Sequence, residues 1–172
     1  MDDLDERAII LTAQFDAKTQ DFFEAHRRRH FPPTLNKIPA HLTLFHNLPG
    51  AEEQSVIKAI GQASPAAPMP ANVAGVMKLG KGTAFRVESE GLLSFRSSLL
   101  KSFDGWLRGQ DRQKFRPHVT IQNKVTPRKA AILFEHLSAE FQPFIARIEG
   151  VQVWRYDGGP WEPRGAIAFD RR

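Results

Sequence analysis

Two strings in this sequence, His41-Leu42-Thr43-Leu44 and His118-Val119-Thr120-Ile121, share the order histidine, apolar, threonine, apolar and stand 77 positions apart. They constrain the fold more than any other feature, because each asks for extended backbone. In a strand, residues i and i+2 project to one face, so each string turns an imidazole and a hydroxyl one way and buries two aliphatic side chains the other. For a chain with this histidine, threonine and apolar content, about 0.04 such strings are expected by chance, and a pair about once in a thousand chains.

The same offset organises the rest of the chain. Ala8 to Phe15 is an apolar run that reads as a buried strand, and Asp16 to His30 changes to helical spacing, with Asp16 as N-cap and Phe22, Phe23 and Ala25 inward. Phe31-Pro32-Pro33 stops that helix. A strand at His41 to Phe45, a Pro49-Gly50 turn, a helix from Glu52 to Ala63 and a strand around Asn72 to Leu79 follow. The second half repeats this order: a strand at Thr83 to Glu88, a helix from Gly91 to Arg108, a basic loop, a strand at His118 to Ile121 and a helix opened by Thr126-Pro127. Strands at Phe144 to Tyr156 and Gly165 to Phe169 close the chain. Sliding the second half back by 77 positions lays Thr83 to Glu88 on Glu6 to Leu11 and each later helix on its earlier counterpart. The expectation is one α+β domain over residues 1–172, built from two β-α-β-α-β repeats at about 6–80 and 83–157 and related by an approximate two-fold axis.

Composition narrows the chemistry. The chain has no cysteine, which excludes disulfides, thiolate nucleophiles and cysteine zinc sites. No run approaches the roughly 18 apolar residues that cross a bilayer, and the first residues are acidic where a secretory leader is basic and then apolar. A cytoplasmic protein without a membrane partner is expected. The net charge of +5 and pI near 9.8 favour a phosphate-bearing partner, although a solvated basic surface accounts for the charge equally well.

A two-fold relation would bring both imidazoles and both hydroxyls to one cleft. Cleaving a phosphodiester without a metal needs a base for the attacking oxygen, an acid for the leaving oxygen and donors for the non-bridging oxygens. Histidine suits both proton roles, with an unperturbed pKa of about 6.5, and the hydroxyls of Thr43 and Thr120 can donate to the phosphoryl oxygens.

At these residues the sequence resembles the two-histidine phosphoesterase superfamily, in its bacterial and archaeal branch of 2'-5' RNA ligases or RNA 2',3'-cyclic phosphodiesterases. Pro39-Ala40-His41-Leu42-Thr43-Leu44-Phe45 followed by Leu48-Pro49-Gly50 looks like the first motif of that branch, and Phe115-Arg116-Pro117-His118-Val119-Thr120-Ile121 like the second. The resemblance implies a bilobal fold in which two antiparallel β-sheets line a central cleft with helices packed outside. It implies an enzyme that opens 2',3'-cyclic phosphates of RNA ends or nucleotides to 2'-phosphates without a metal, with 2'-5' ligation as the reverse reaction; a monomer without a cofactor is expected. His41 would then be the acid toward the ribose 3'-oxygen and His118 the base toward water, in roles that near-symmetry allows to exchange. Relatives often carry an arginine after the second motif, where this chain has Gln122-Asn123-Lys124, so Lys124 and Arg116 become the candidate phosphate contacts. An RNA-end binding or joining protein, and an enzyme acting on ADP-ribose cyclic phosphate or 2',5'-oligonucleotides, would carry the same four residues.

The remaining candidates are read more plainly. His46 falls on the face opposite His41 if the strand is regular, which gives it a structural or solvent role. His26, His30 and His136 sit on helices as surface residues, and no carboxylate stands at metal-ligand spacing near either motif. Trp154 is expected in the core, while Tyr156 and Trp161 are candidates for stacking on bases. Arg27-Arg28-Arg29 reads as an exposed helix end complementing the helix dipole.

Overall fold

Alternation of apolar residues and the chemistry of helix caps set the elements of the chain in the computed structural model, which describes residues 5–170. Among the described residues these are β1 (Ala8–Phe15), α1 (Ala17–His30), β2 (Thr43–Leu48), α2 (Glu53–Ala63), β3 (Met69–Lys78), β4 (Thr83–Glu88), α3 (Glu90–Ser102), β5 (His118–Gln122), α4 (Pro127–Glu140), β6 (Phe144–Tyr156) and β7 (Glu162–Ala168). The fold is α+β. Asp16, Ser89 and Thr126 each accept a backbone N–H of the first turn of α1, α3 and α4, and Pro127 occupies the first position of α4, where its missing N–H costs nothing. None of the described helices is long and apolar enough to cross a membrane.

One expected helix is shorter than its apolar spacing indicates. The helix expected over Gly91 to Arg108 ends at Ser102, and Asp104–Trp106 and Gly109–Arg112 form 3-10 turns instead. Gly105 and Gly109 weaken a helix at these points, and Gly109 takes a left-handed φ of 52°. The tighter turn still carries Trp106 onto Phe103, with ring centroids 5.7 Å apart, so the core periodicity outlasts the helix. At the end of the chain, the strand expected from Gly165 begins earlier, at Glu162.

All strand pairs are antiparallel, in the order β2-β1-β6-β3-β4-β5, with β7 on the far edge of β6. β6 joins the two ends. Its first residues pair with β3, and the stretch from Ile148 to Tyr156 runs between β1 and β7. The two sheets expected to line the cleft are therefore two portions of one ladder, β2-β1-β6-β7 and β5-β4-β3-β6, that share a long strand. Each portion draws strands from both halves of the sequence, so neither half has a complete sheet alone.

The register shows where the offset of 77 stops applying. Thr12 pairs with Thr43, and Ala84 pairs with Thr120, so the first strands correspond at 72 positions while the motifs correspond at 77. The five additional residues lie between β4 and β5, in the stretch that contains the 3-10 turns.

Leu42, Leu44, Val119 and Ile121 are fully buried. Each contributes about 1.5–3 kcal/mol by leaving water, which fixes the faces that the intervening histidines and threonines present.

Candidate active site

β2 and β5 are the two ends of the strand path, yet His41, Thr43, His118 and Thr120 all line one cavity of about 370 Å³. The ladder curls until its ends face each other. His41 stands two residues before β2 begins, and His118 is the first residue of β5.

The two imidazoles are held in the same way. The Nδ1–H of His41 donates to the Pro39 carbonyl at 2.8 Å, and the Nδ1–H of His118 donates to the Arg116 carbonyl at 2.6 Å. A carbonyl can only accept, so in each neutral ring the proton sits on Nδ1 and Nε2 carries the lone pair. Both rings line the cleft, each with Nε2 left as the nitrogen available for proton transfer.

Their surroundings differ. The Trp161 ring lies against His41, centroids 4.7 Å apart, and lines the same cavity. Burial lowers the His41 pKa to about 4; the Pro39 carbonyl opposes that shift, and the charges of Arg27, His46 and His118 reinforce it. His41 is thus neutral near neutral pH in the free protein, while it stays partly exposed along the cavity.

Two buried arginines support the motifs from behind, each crossing between halves. Arg27 on α1 is 4% exposed and donates from Nη1 to the Thr120 carbonyl (2.9 Å) and from Nε to Asn36 (2.8 Å). Arg96 on α3 is 5% exposed and donates from Nε to the Leu44 carbonyl (2.9 Å) and from Nη2 to the Asp111 carbonyl (3.3 Å), with its guanidinium over the rings of Phe45 and Phe115. The exposed helix end expected for Arg27 is thereby corrected. The reason lies in helix geometry: Phe23 and Arg27, four residues apart, share the face packed against the sheet.

His46 also departs from its expected place. Leu11 pairs with Phe45 and Thr12 with Thr43, so Leu44 is an extra residue, a β-bulge, in β2. Leu44 and Phe45 are both buried, and His46 lines the same cavity as His41 and Thr43. Its ring is held by Asp111 from the loop before β5. That loop supplies one cleft wall through Gln110, Gln113, Lys114, Phe115 and Arg116.

Of the other sequence candidates, Arg116 and Trp161 line the cavity, whereas Lys124 and Tyr156 do not. Lys124 takes a left-handed φ of 60° in the turn after β5, where its N–H donates to the Asn123 side chain. Tyr156 is exposed, with its ring 6.3 Å from that of Trp161. Trp154 donates its indole N–H to Thr12 at 2.9 Å. His26 and His30 are not surface residues; they stack on each other and are half-buried, and His26 sits edge-on to Phe22 and Phe85. His136 is exposed and faces Glu140. Among the described residues no three histidine or acidic side chains are grouped to hold a metal ion, the three cleft imidazoles included.

Residues 15–160 match the family model described as the 2'-5' RNA ligase superfamily. The fold is similar to that of TT0787 of Thermus thermophilus, at 14% identity and a TM-score of 0.68, over 95% of this chain and 98% of that one. It is similar to E. coli LigT complexed with 3'-AMP, at 13% identity and a TM-score of 0.64, over 95% and 98% of the two chains. LigT complexed with NADP+ gives 14% identity and a TM-score of 0.62, over 97% and 100%. No curated protein matches the sequence. At these identities the structural likeness is one of fold.

Proposed function

Because this chain belongs to the 2'-5' RNA ligase superfamily, we propose that its cleft hydrolyses 2',3'-cyclic phosphates of RNA ends or nucleotides to 2'-phosphates by two-histidine acid and base catalysis. The observation that carries this reading is the matched restraint of His41 and His118, whose Nδ1 atoms are both engaged by backbone carbonyls two residues upstream. Their Nε2 atoms are left for proton transfer on either side of one phosphorus. Support for a nucleotide ligand comes from the similar LigT fold, solved with 3'-AMP and with NADP+.

In this mechanism the hydroxyls of Thr43 and Thr120 donate to the two non-bridging oxygens, which gain charge in the transition state. One imidazole removes the proton of a water whose oxygen bonds to phosphorus, and the bond from phosphorus to the ribose 3'-oxygen breaks as the other imidazole delivers its proton there. The burial of His41 suits it to the base role, because it enters the reaction neutral; a positive charge on His118 further disfavours a second proton on His41. This exchanges the roles that the family resemblance implies. If a ribose 5'-hydroxyl takes the place of water, the same proton transfers form a 2'-5' linkage, so ligation requires no additional machinery. In this reading Trp161, whose ring lies against His41, stacks on the base of the nucleotide.

The test incubates the wild type, His41→Ala and His118→Ala, all in EDTA, with a nucleoside 2',3'-cyclic phosphate and identifies the product isomer. Loss of each proton carrier should cost about 10²–10⁴-fold in kcat, and the product should be the 2'-phosphate. Full activity in either variant, or formation of the 3'-phosphate alone, rejects the mechanism.

A further inference from the structure

The cleft has more donors than one phosphodiester can use. A cyclic phosphate offers two non-bridging oxygens, an attacking oxygen and a leaving oxygen, and Thr43, Thr120, His41 and His118 answer those four. His46, Lys114 and Arg116 line the same cavity beyond them.

Of these three, His46 is the one built into place. The Asp111 carboxylate has no exposed surface, and it accepts the backbone N–H of His46 at 2.8 Å, the backbone N–H of Asn47 at 3.0 Å and the Nδ1–H of His46 at 3.0 Å. Burial pushes the Asp111 pKa up, but the hydrogen bonds from His46 and Asn47 outweigh it and hold the group below the usual carboxylate range. Asp111 is therefore ionised and can only accept, which puts a proton on His46 Nδ1 and leaves Nε2 facing away from it. The two backbone bonds already tie the loop to β2. The side-chain bond adds the orientation of a ring that is 46% exposed and lines the cleft. An imidazole that carries a proton on Nε2 as well as on Nδ1 donates there to an anion in a charge-assisted hydrogen bond.

We infer that His46, oriented by Asp111 and flanked by Lys114 and Arg116, forms a second anion subsite that takes a phosphate of the substrate other than the reacting one. This rests on the phosphodiester reading above and narrows it. The preferred substrate is a cyclic-phosphate nucleotide that bears a further phosphate, as the last residue of an RNA chain does through its 5'-oxygen, rather than a free nucleoside cyclic phosphate.

The experiment compares adenosine 2',3'-cyclic phosphate with the same nucleotide carrying a 5'-phosphate, on wild type and His46→Gln. Wild type should show kcat/KM about tenfold or more in favour of the phosphate-bearing substrate, with the gain in KM, and His46→Gln should bring the ratio to within about twofold of unity. Both substrates are assayed on one preparation, so partial unfolding of the variant cancels in the ratio. A wild type without preference, or a preference kept in His46→Gln, overturns the subsite. If the wild type turns over neither nucleotide, the phosphoesterase reading fails, and binding of adenosine 2',5'-bisphosphate against adenosine 2'-phosphate decides His46. Tighter binding of the bisphosphate by wild type but not by His46→Gln supports the subsite, and any other pattern rejects it.

Discussion

Arg27 holds the carbonyl of Thr120 at 2.9 Å across 93 positions of sequence, so a side chain of the first helix sets the backbone of the second motif. Arg96 does the reverse from the third helix, gripping the Leu44 carbonyl at the end of the first motif. Each half of the chain thus positions the motif-bearing strand of the other, and separation of the halves would slacken both motifs.

Replacing Arg27 by Met should show this coupling. The apolar stem remains, but the Thr120 carbonyl and the Asn36 side chain, both part-buried, lose their donor, a loss of about 1 kcal/mol for each. Urea unfolding is expected to register a destabilisation of about 2 kcal/mol, with a fall in kcat at temperatures where the variant is fully folded. Unchanged stability would mean that the guanidinium is dispensable.

The proton chemistry of His41 has a distinct signature. With a free-state pKa of about 4, a base in this position makes the acid-side fall of kcat/KM begin only below about pH 5. An ordinary histidine would make the fall begin near pH 6.5. Replacing Trp161 by Ala opens the His41 ring to water and should move the acid limb upward, while KM rises as the stacking surface is lost, by about 1–3 kcal/mol of binding per base. Activity that instead declines steadily from pH 4 to 7 would assign the acid role to His41.

Much of this site is legible in the sequence, for a local reason. Strand alternation and capping act over a few residues, so they place β1 at Ala8 to Phe15, mark the Asp16 and Thr126 caps, and pick out the four motif residues that share one cavity. What escapes depends on distant partners. The bulge at Leu44 carries His46 into the cleft, yet regular alternation gives no sign of it. Asp111 looks like any polar loop residue until its three donors, more than 60 positions away, are seen. Arg27 carries the same local signal as the exposed Arg28 and Arg29, and only its place on the α1 face distinguishes it.

The threonines give a symmetrical prediction. Thr43→Val and Thr120→Val keep the β-branched shape that suits a strand and remove only the donor. Each should lower kcat/KM by about 10–100-fold, the effect of losing a hydrogen bond to a charged group, with little change in melting temperature. A loss confined to one variant would show that a single non-bridging oxygen carries the developing charge.

His26 governs how stability depends on pH. Burial, together with the charges of His30 and Arg29, lowers its pKa from 6.5 to about 4, and its Nδ1 has no hydrogen-bond partner among the described residues. Between these two values the unfolded chain binds a proton that the folded chain refuses, so stability is complete above pH 6.5 and declines as pH falls toward 4. His30 is shifted in the same direction by burial and by Arg29 and His136, and it adds to the slope. Since Phe22 and Phe85 surround the His26 ring edge-on, His26→Phe replaces an unpartnered polar group with one that suits its neighbours. The variant should gain about 1–3 kcal/mol over wild type at pH 5 and much less at pH 8, measured as paired urea titrations at the two values. An equal gain at both pH values would mean that packing, and not the refused proton, sets the effect.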